Sequence, residues 1–108
     1  MDINPSILQT LGDPTRLKIL EALKTGEKTV NNIVDLVEIQ QSGVSRHLSI
    51  LHEAGFVQMR PDGQKRLYSI RAEPFREVAR WVHTYEKYWT QKLDKLEAFF
   101  QNKKRKEK

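Results

Sequence analysis

Short polar and cationic side chains are concentrated in the segment QSGVSRHLS, residues 41–49. Their hydroxyl, amide, guanidinium and imidazole groups are those that hydrogen-bond phosphate oxygens and base edges. No Ser-His-Asp spacing, Gly-rich phosphate loop or paired-carboxylate constellation indicates catalysis, so we expect a binding protein without a cofactor. The candidate contact residues in this segment are Gln41, Ser42, Gly43, Ser45, Arg46, His47 and Ser49.

An apolar stripe runs through the same segment and continues to Leu51. Val44, Leu48 and Leu51 recur at spacings of four and three, which predicts a helix with one buried face. The opposite face lacks the Glu, Lys and Ala that stabilise helices, so we infer that an external partner determines its composition. A helix that enters the DNA major groove, about 12 Å wide, needs a slim outer face with hydrogen-bonding groups. Gly43 would permit close approach to the DNA.

These side chains differ in length, and we expect them to contact different parts of the DNA. Gln41 and Arg46 are long enough for base edges, Ser42 and Ser45 suit phosphate oxygens, and His47 could serve either. The alternative is purely structural, with Ser and Gly marking a poor helix start. The charge excess in the same part of the chain favours DNA contact over that alternative.

Basic residues are unevenly distributed along the 108 residues, whose net charge is +5. Residues 40–71 carry five basic and two acidic side chains, and residues 102–108 carry five basic and one acidic. We expect one domain over residues 1–101 and a disordered basic tail over residues 102–108. Additional phosphate contacts are the alternative reading of the tail.

The composition excludes several kinds of functional site and argues against a membrane location. The absence of cysteine excludes disulfides, thiolate metal sites and cysteine nucleophiles, and three histidines leave few zinc ligands. No run of about 18 apolar residues and no basic-then-apolar N-terminus is present. We therefore expect a cytoplasmic protein without a membrane partner.

Cap and turn residues divide the chain into helices and one hairpin. Asp13 and Pro14 start a helix whose inner face carries three leucines, Leu17, Leu20 and Leu23. After Gly55 the apolar period changes from 3.6 to 2, and two alternating runs flank a turn cluster at residues 61–64. This hairpin is expected beside the contact helix, with three more candidate DNA-binding cations: Arg60, Lys65 and Arg66.

A long last helix begins at Pro74 and has more apolar surface than a small core can cover. We interpret its apolar row as a dimer interface, with packing on its own domain as the alternative. That row consists of Phe75, Val78, Val82, Tyr85, Trp89, Leu93, Leu96 and Phe100. The order of elements predicts a mainly α (α+β) winged helix-turn-helix with a two-stranded β-hairpin wing and a long C-terminal dimerisation helix.

Three segments, LGDPTRLKIL, QSGVSRHLSILHEAGFV and PDGQKRLYSI, resemble the ArsR/SmtB family of bacterial winged-helix repressors over about residues 5–100. The resemblance implies a homodimeric transcription regulator that binds a palindromic operator. It assigns the recognition-helix positions to Gln41, Ser42, Ser45, Arg46 and His47. Two residues depart from the pattern, because Glu38 replaces a common turn glycine and Gln40 replaces an N-capping serine.

Many relatives in this family sense metals, and the resemblance locates their ligand positions in this chain. The thiolate site of the third helix falls at Thr29 and Asn31, which are not soft ligands. In the last-helix site, His83 and Glu86 match one half, whereas Ile70 and Ala72 replace the other. Two ligands do not make a tetrahedral zinc site, so we expect a regulator that binds no metal.

A second function class is compatible with the same elements. A winged helix could use its aromatic last helix to capture another protein and bind no specific DNA. The slim, hydroxyl-lined contact helix favours DNA, because an interaction module has no need of it. The effector is left open between a small apolar molecule held by the last helices, a partner protein, and none.

Overall fold

The computed structural model describes residues 3–106, with side chains placed for residues 3–103. The chain divides into two compact units, and the boundary lies between Val78 and Ala79. The elements in chain order are α1 (Pro5–Leu11), α2 (Pro14–Leu23), β1 (Lys28–Thr29), α3 (Val30–Val37), α4 (Gln41–Glu53), β2 (Val57–Asp62), β3 (Lys65–Ile70) and α5 (Glu73–Lys106). This order confirms the predicted winged helix-turn-helix.

The core of the first unit is built by α2, α3, α4 and the start of β2. Ile19, Ile33, Val44, Leu48 and Phe56 in this cluster are each 0% exposed. Partly buried side chains from α1, β3 and the first turn of α5 pack around them: Ile7, Leu11, Tyr68, Ile70 and Phe75. The inner face of α4 is thus held from several sides, which fixes the direction in which its outer face points.

One part of the predicted core is wrong, at the start of α2. Leu17 is 46% exposed, whereas Ile19 is completely buried beside Leu20 and Leu23. At about 100° per residue, Leu17 falls on a different face from the other three side chains. Arg16 instead shares the buried side, because it precedes Leu20 by one helical turn.

The sheet has three strands where the sequence predicted only a hairpin. β1 pairs antiparallel with β3 through Lys28–Tyr68 and Thr29–Leu67, and the strand order is β1-β3-β2. Thr29 then caps α3 by accepting a hydrogen bond from the Asn32 backbone N–H at 3.2 Å. β1 therefore connects the wing to the start of the helix-turn-helix, because it pairs with β3 and leads directly into α3.

The hairpin turn is shorter than the predicted cluster at residues 61–64. β2 continues to Asp62, which pairs with Lys65, and Pro61 pairs with Arg66. Pro61 is tolerated there because β2 is an edge strand, where a missing N–H removes no ladder bond. Gly63, at φ 62°, supplies the positive φ that a two-residue hairpin turn needs.

The turn between α3 and α4 contains both residues that depart from the family pattern. Glu38 adopts the left-handed conformation, with φ 57° and ψ 40°, which glycine reaches with less strain. Gln40 precedes α4 with φ −58° and ψ 148°, and its side chain makes no capping hydrogen bond. The entry to α4 therefore lacks two features that usually stabilise a helix-turn-helix.

Replacing Gln40 with serine should supply the missing cap. The extended backbone at this position suits a capping side chain, and we expect Gln40→Ser to raise the free energy of unfolding by about 1 kcal/mol. Urea denaturation followed by circular dichroism measures the change. Gln40→Ala is the matched control, and equal stabilities of the serine and alanine variants would contradict the capping argument.

The long helix α5 contributes to both units. Phe75 and Val78 are half-buried in the first unit, where the Phe75 ring meets the Phe56 ring edge-on at 5.4 Å between centroids. In the second unit the large apolar side chains are exposed from Val82 onward. The helix extends to Lys106, five residues beyond the predicted domain end at residue 101, whereas Glu107 and Lys108 lie outside the described residues.

Candidate nucleic-acid interface

The outer face of α4 presents the polar side chains that the sequence singled out. Ser42, Ser45, Arg46 and Ser49 are all exposed, and helical spacing places them within an arc of about 100°. The opposite face packs Val44, Leu48 and Leu51 in the core. Between Ser42 and Ser49 the exposed arc therefore combines three hydroxyls and one guanidinium, and Arg46 is the only long side chain there, so this part of α4 can approach a groove closely.

Gln41 and two wing cations lie around one cleft. Gln41 is the first residue of α4, and Lys65 and Arg66 begin β3, the return strand of the hairpin. The cleft has a volume of about 360 Å³, and it is lined by Thr29, Val30, Asn31, Asn32, Gln41, Gln64, Lys65 and Arg66. This geometry places two wing cations next to the N-terminal end of the contact helix.

Gly43 has a role within the fold that its sequence position did not reveal. It is half-buried, and a Cβ added there would come within 3.2 Å of the Ile39 side chain. A larger residue would push against the turn that leads into α4. The contact with Ile39 therefore accounts for the glycine without DNA, and close approach of DNA stays a prediction.

Arg60 differs from the other two wing cations because it already has a partner in the chain. Its Nε donates to Glu27 Oε2 at 2.7 Å, and its Nη2 donates to Glu27 Oε1 at 3.1 Å. The Arg60 hydrogen bond lowers the pKa of the Glu27 carboxyl below 4.5, and the same bond raises the pKa of Arg60. This bidentate pair connects β2 to the residue that precedes β1.

Strand register places Arg60 on the outer side of the sheet. Cross-strand partners share a face, so Arg60 and Leu67 lie opposite to the face of Tyr68 and Ile70, which packs on the core. A DNA contact by Arg60 would therefore compete with the Glu27 pair. Sequence reasoning missed this pair because its partners are 33 residues apart and belong to no motif.

His47 is half-buried on the α2 side of α4, about 100° around the helix from Arg46, and faces Arg16 of α2. Arg16 Nη1 lies 3.4 Å from His47 Nδ1, and Arg16 Nε donates to the Thr10 carbonyl oxygen at 2.6 Å. Sequence reasoning also missed Arg16. Its signal was present, since a cation at the position one turn before Leu20 falls on the buried side of α2 and must find acceptors.

The other histidine with a sequence-based hypothesis lies on α5. His83 Nδ1 is 3.6 Å from Glu86 Oε2, and both side chains are well exposed. Among the residues that the structure describes, no group of three or more His, Asp or Glu side chains could hold a metal ion. These two residues match half of the family's last-helix site. Their spacing of three residues places them one helical turn apart, where an exposed His and Glu on the same helix ordinarily interact.

Residues 13–59 match the family model described as "Bacterial regulatory protein, arsR family". The transcriptional repressor SdpR of Bacillus subtilis is 31% identical over 77 residues, which cover 71% of this chain and 86% of that protein. The chain belongs to the ArsR family. The matched segment begins at the cap of α2 and ends in β2, so it contains the whole helix-turn-helix.

Other known proteins are similar to this chain over different shares of their length. A probable mercury resistance operon repressor of Streptomyces lividans is 42% identical over 69 residues, but the chain spans only 55% of that protein. A crystal structure of an ArsR family transcriptional regulator superposes with a TM-score of 0.71 at 28% identity, covering 83% of this chain and 97% of that chain.

A solution structure from Mycobacterium bovis is described as a homodimeric winged helix-turn-helix DNA-binding domain. It has a TM-score of 0.63 at 25% identity and covers 77% of each chain. These structures confirm the winged helix-turn-helix fold of this ArsR family member. Within residues 3–106, no helix combines the length and apolar character of a membrane span.

Proposed function

We propose that this ArsR family regulator is a homodimeric repressor that binds an inverted-repeat operator and acts in the cytoplasm, where such operators lie. The observation that carries the proposal is the outer face of α4, with Ser42, Ser45, Arg46 and Ser49 exposed above a fully buried inner face. Phosphate contacts from the hydroxyls and wing cations would supply affinity, and Gln41 and Arg46 would supply most base discrimination. We assign it no catalytic step.

The described part of α5 supports pairing of two copies. Its large apolar side chains from Trp81 to Phe100 fall within an arc of about 140° around the helix, and nearly all of them are exposed in the single chain. An exposed apolar stripe of this size favours a partner helix. Two equivalent α4 helices can enter successive major grooves only when a twofold axis spaces them by about 34 Å.

The sensing chemistry proposed here does not use a metal. His83 and Glu86 already pair with each other, and Ile70 and Ala72 occupy the two remaining positions of the family's last-helix site. An aliphatic side chain and a methyl group offer no ligand atom. An apolar molecule between the two α5 helices, or a partner protein, remains the proposed class of input.

Selection of bound fragments from a random duplex pool tests the proposal. The purified chain should enrich an inverted repeat with half-sites about 10 base pairs apart, and gel shifts should weaken steeply between two salt concentrations. A winged-helix protein-interaction module would enrich no sequence and show equal affinity for random duplexes. That second outcome would reject the repressor and favour the interaction module.

Freeing Arg60 should strengthen DNA binding if this side chain contacts a phosphate. Glu27→Gln removes the charge that holds the guanidinium, so we expect about threefold tighter operator binding at low salt. Glu21→Gln is the matched control, because it removes the same charge from another exposed ion pair, with Lys24. Equal affinities of the two variants, measured by fluorescence anisotropy, would remove Arg60 from the DNA contacts.

A further inference from the structure

Arg16 connects three elements of the first unit through one guanidinium. Its Nε donates to the Thr10 carbonyl oxygen at 2.6 Å, and its Nη2 lies 3.5 Å from the Gln9 carbonyl oxygen, both at the end of α1. Its Nη1 faces His47 Nδ1 on α4 at 3.4 Å. A partly buried cation that is held by two carbonyls has little freedom to turn away from the imidazole.

Asp13 holds the backbone turn that carries Arg16. Its carboxylate caps α2 by accepting from the Thr15 N–H at 2.8 Å and the Arg16 N–H at 3.1 Å. The Arg16 backbone hydrogen bond is the largest cause that lowers the Asp13 pKa below 3.8, and the nearby charges of Arg16 and His47 act in the same direction. The cap thus fixes the first turn of α2, from which the Arg16 side chain extends.

The guanidinium determines which ring nitrogen of His47 carries the proton. Arginine has only donors, so the nitrogen that faces it must present a lone pair. A proton on Nδ1 would point at an N–H group at 3.4 Å, which is repulsive. In the neutral imidazole the proton is therefore placed on Nε2, on the far side of the ring.

We infer that Arg16 is a positioning residue that holds His47 in the Nε2–H tautomer, so that this N–H donates to a DNA backbone phosphate on the α2 side of α4, outside the arc of Ser42, Ser45, Arg46 and Ser49. The inference rests on the proposed function, because it adds a defined donor to the same interface. It also gives α1 a connection to that interface, since the α1 carbonyls hold the guanidinium. No other donor or acceptor partner of His47 is found among the described side chains.

Imidazole nitrogen NMR tests the tautomer without any DNA. At about pH 8, where imidazoles are neutral, long-range proton–nitrogen spectra distinguish a protonated Nε2 from a protonated Nδ1. His47 is assigned by the signals that His47→Gln removes. We expect the Nε2–H pattern in the parent chain and a mixture of tautomers in Arg16→Met, whose fold is checked by circular dichroism. A protonated Nδ1 in the parent, or an Arg16→Met spectrum identical to it, would overturn the inference.

Two amide substitutions test the contact itself. The glutamine amide nitrogen occupies about the position of Nε2, whereas the asparagine amide nitrogen occupies about that of Nδ1. We expect His47→Gln to bind the selected operator within about threefold of the parent, and His47→Asn to bind at least about tenfold more weakly. Equal weakening of both variants would reject the Nε2 contact.

The two experiments separate this inference from the proposed function. If the parent chain binds no specific operator, the repressor proposal fails, and the NMR spectrum still decides whether Arg16 fixes the tautomer. If the parent binds an operator and the spectrum shows protonated Nδ1, only the inference about Arg16 and His47 fails.

Discussion

Arg46→Ala is expected to weaken specific operator binding by about 1 to 3 kcal/mol, roughly fivefold to more than a hundredfold. Arg46 is the only cation on the exposed arc of α4, and three small serines leave its guanidinium unobstructed. The loss is large because a bidentate contact to guanine would disappear without a neighbouring side chain to replace it. Fluorescence anisotropy with the selected operator measures the change.

The pattern of the loss identifies the atom that Arg46 contacts. If Arg46 reads a base, the variant loses discrimination at one position of each half-site while random duplexes bind nearly as before. If Arg46 contacts a phosphate, all duplexes weaken together and the slope of log affinity against log salt falls by about 1. Parent and variant with equal operator affinity would remove Arg46 from the interface.

Lys24→Ala provides the matched control for this experiment. Lys24 follows α2, is exposed and pairs with Glu21, so its loss changes net charge by the same amount. Exposed ion pairs of this kind contribute little to stability, and the control should remain folded. A control that weakens operator binding as much as Arg46→Ala would show that net charge, and not the contact, produces the effect.

Periodicity explains why most of the fold was predictable from sequence. In α4, Val44, Leu48 and Leu51 all lie on one face, and each of them is fully buried. The same reasoning failed for Leu17, because the α2 stripe is narrow and Ile19 lies between the counted leucines. β1 could not be seen, since a two-residue strand has no period and exists only through its pairing with β3.

The candidate site likewise has one part that the sequence predicts and one part that only the folded structure reveals. The exposed residues of α4 follow from local sequence, because a helix fixes which side chains share a face. The partners of Arg60 and His47 do not, because Glu27 and Arg16 lie 33 and 31 residues away and meet them only through tertiary packing. A list of contact residues drawn from local sequence must therefore be revised at side chains that are buried or paired in the folded chain.

Leu96→Glu is expected to convert the dimer into single chains. Leu96 lies near the centre of the apolar arc of α5 and is 50% exposed in the single chain, so the glutamate costs the isolated fold little. In a twofold interface each copy would bury an unpaired carboxylate, at about 3 kcal/mol or more. The dimer dissociation constant should therefore rise by roughly a hundredfold or more, as measured by analytical ultracentrifugation.

Gln91→Glu is the control that distinguishes disruption of the interface from the effect of the added charge. It adds the same charge on the same helix, but Gln91 lies on the polar side, roughly opposite to Leu96. The control should stay dimeric and bind operator, whereas Leu96→Glu should lose most operator affinity because one α4 helix can occupy only one half-site. A Leu96→Glu chain that remains dimeric with its fold intact would show that two copies pair through some other surface, and the 34 Å spacing would then need a different axis.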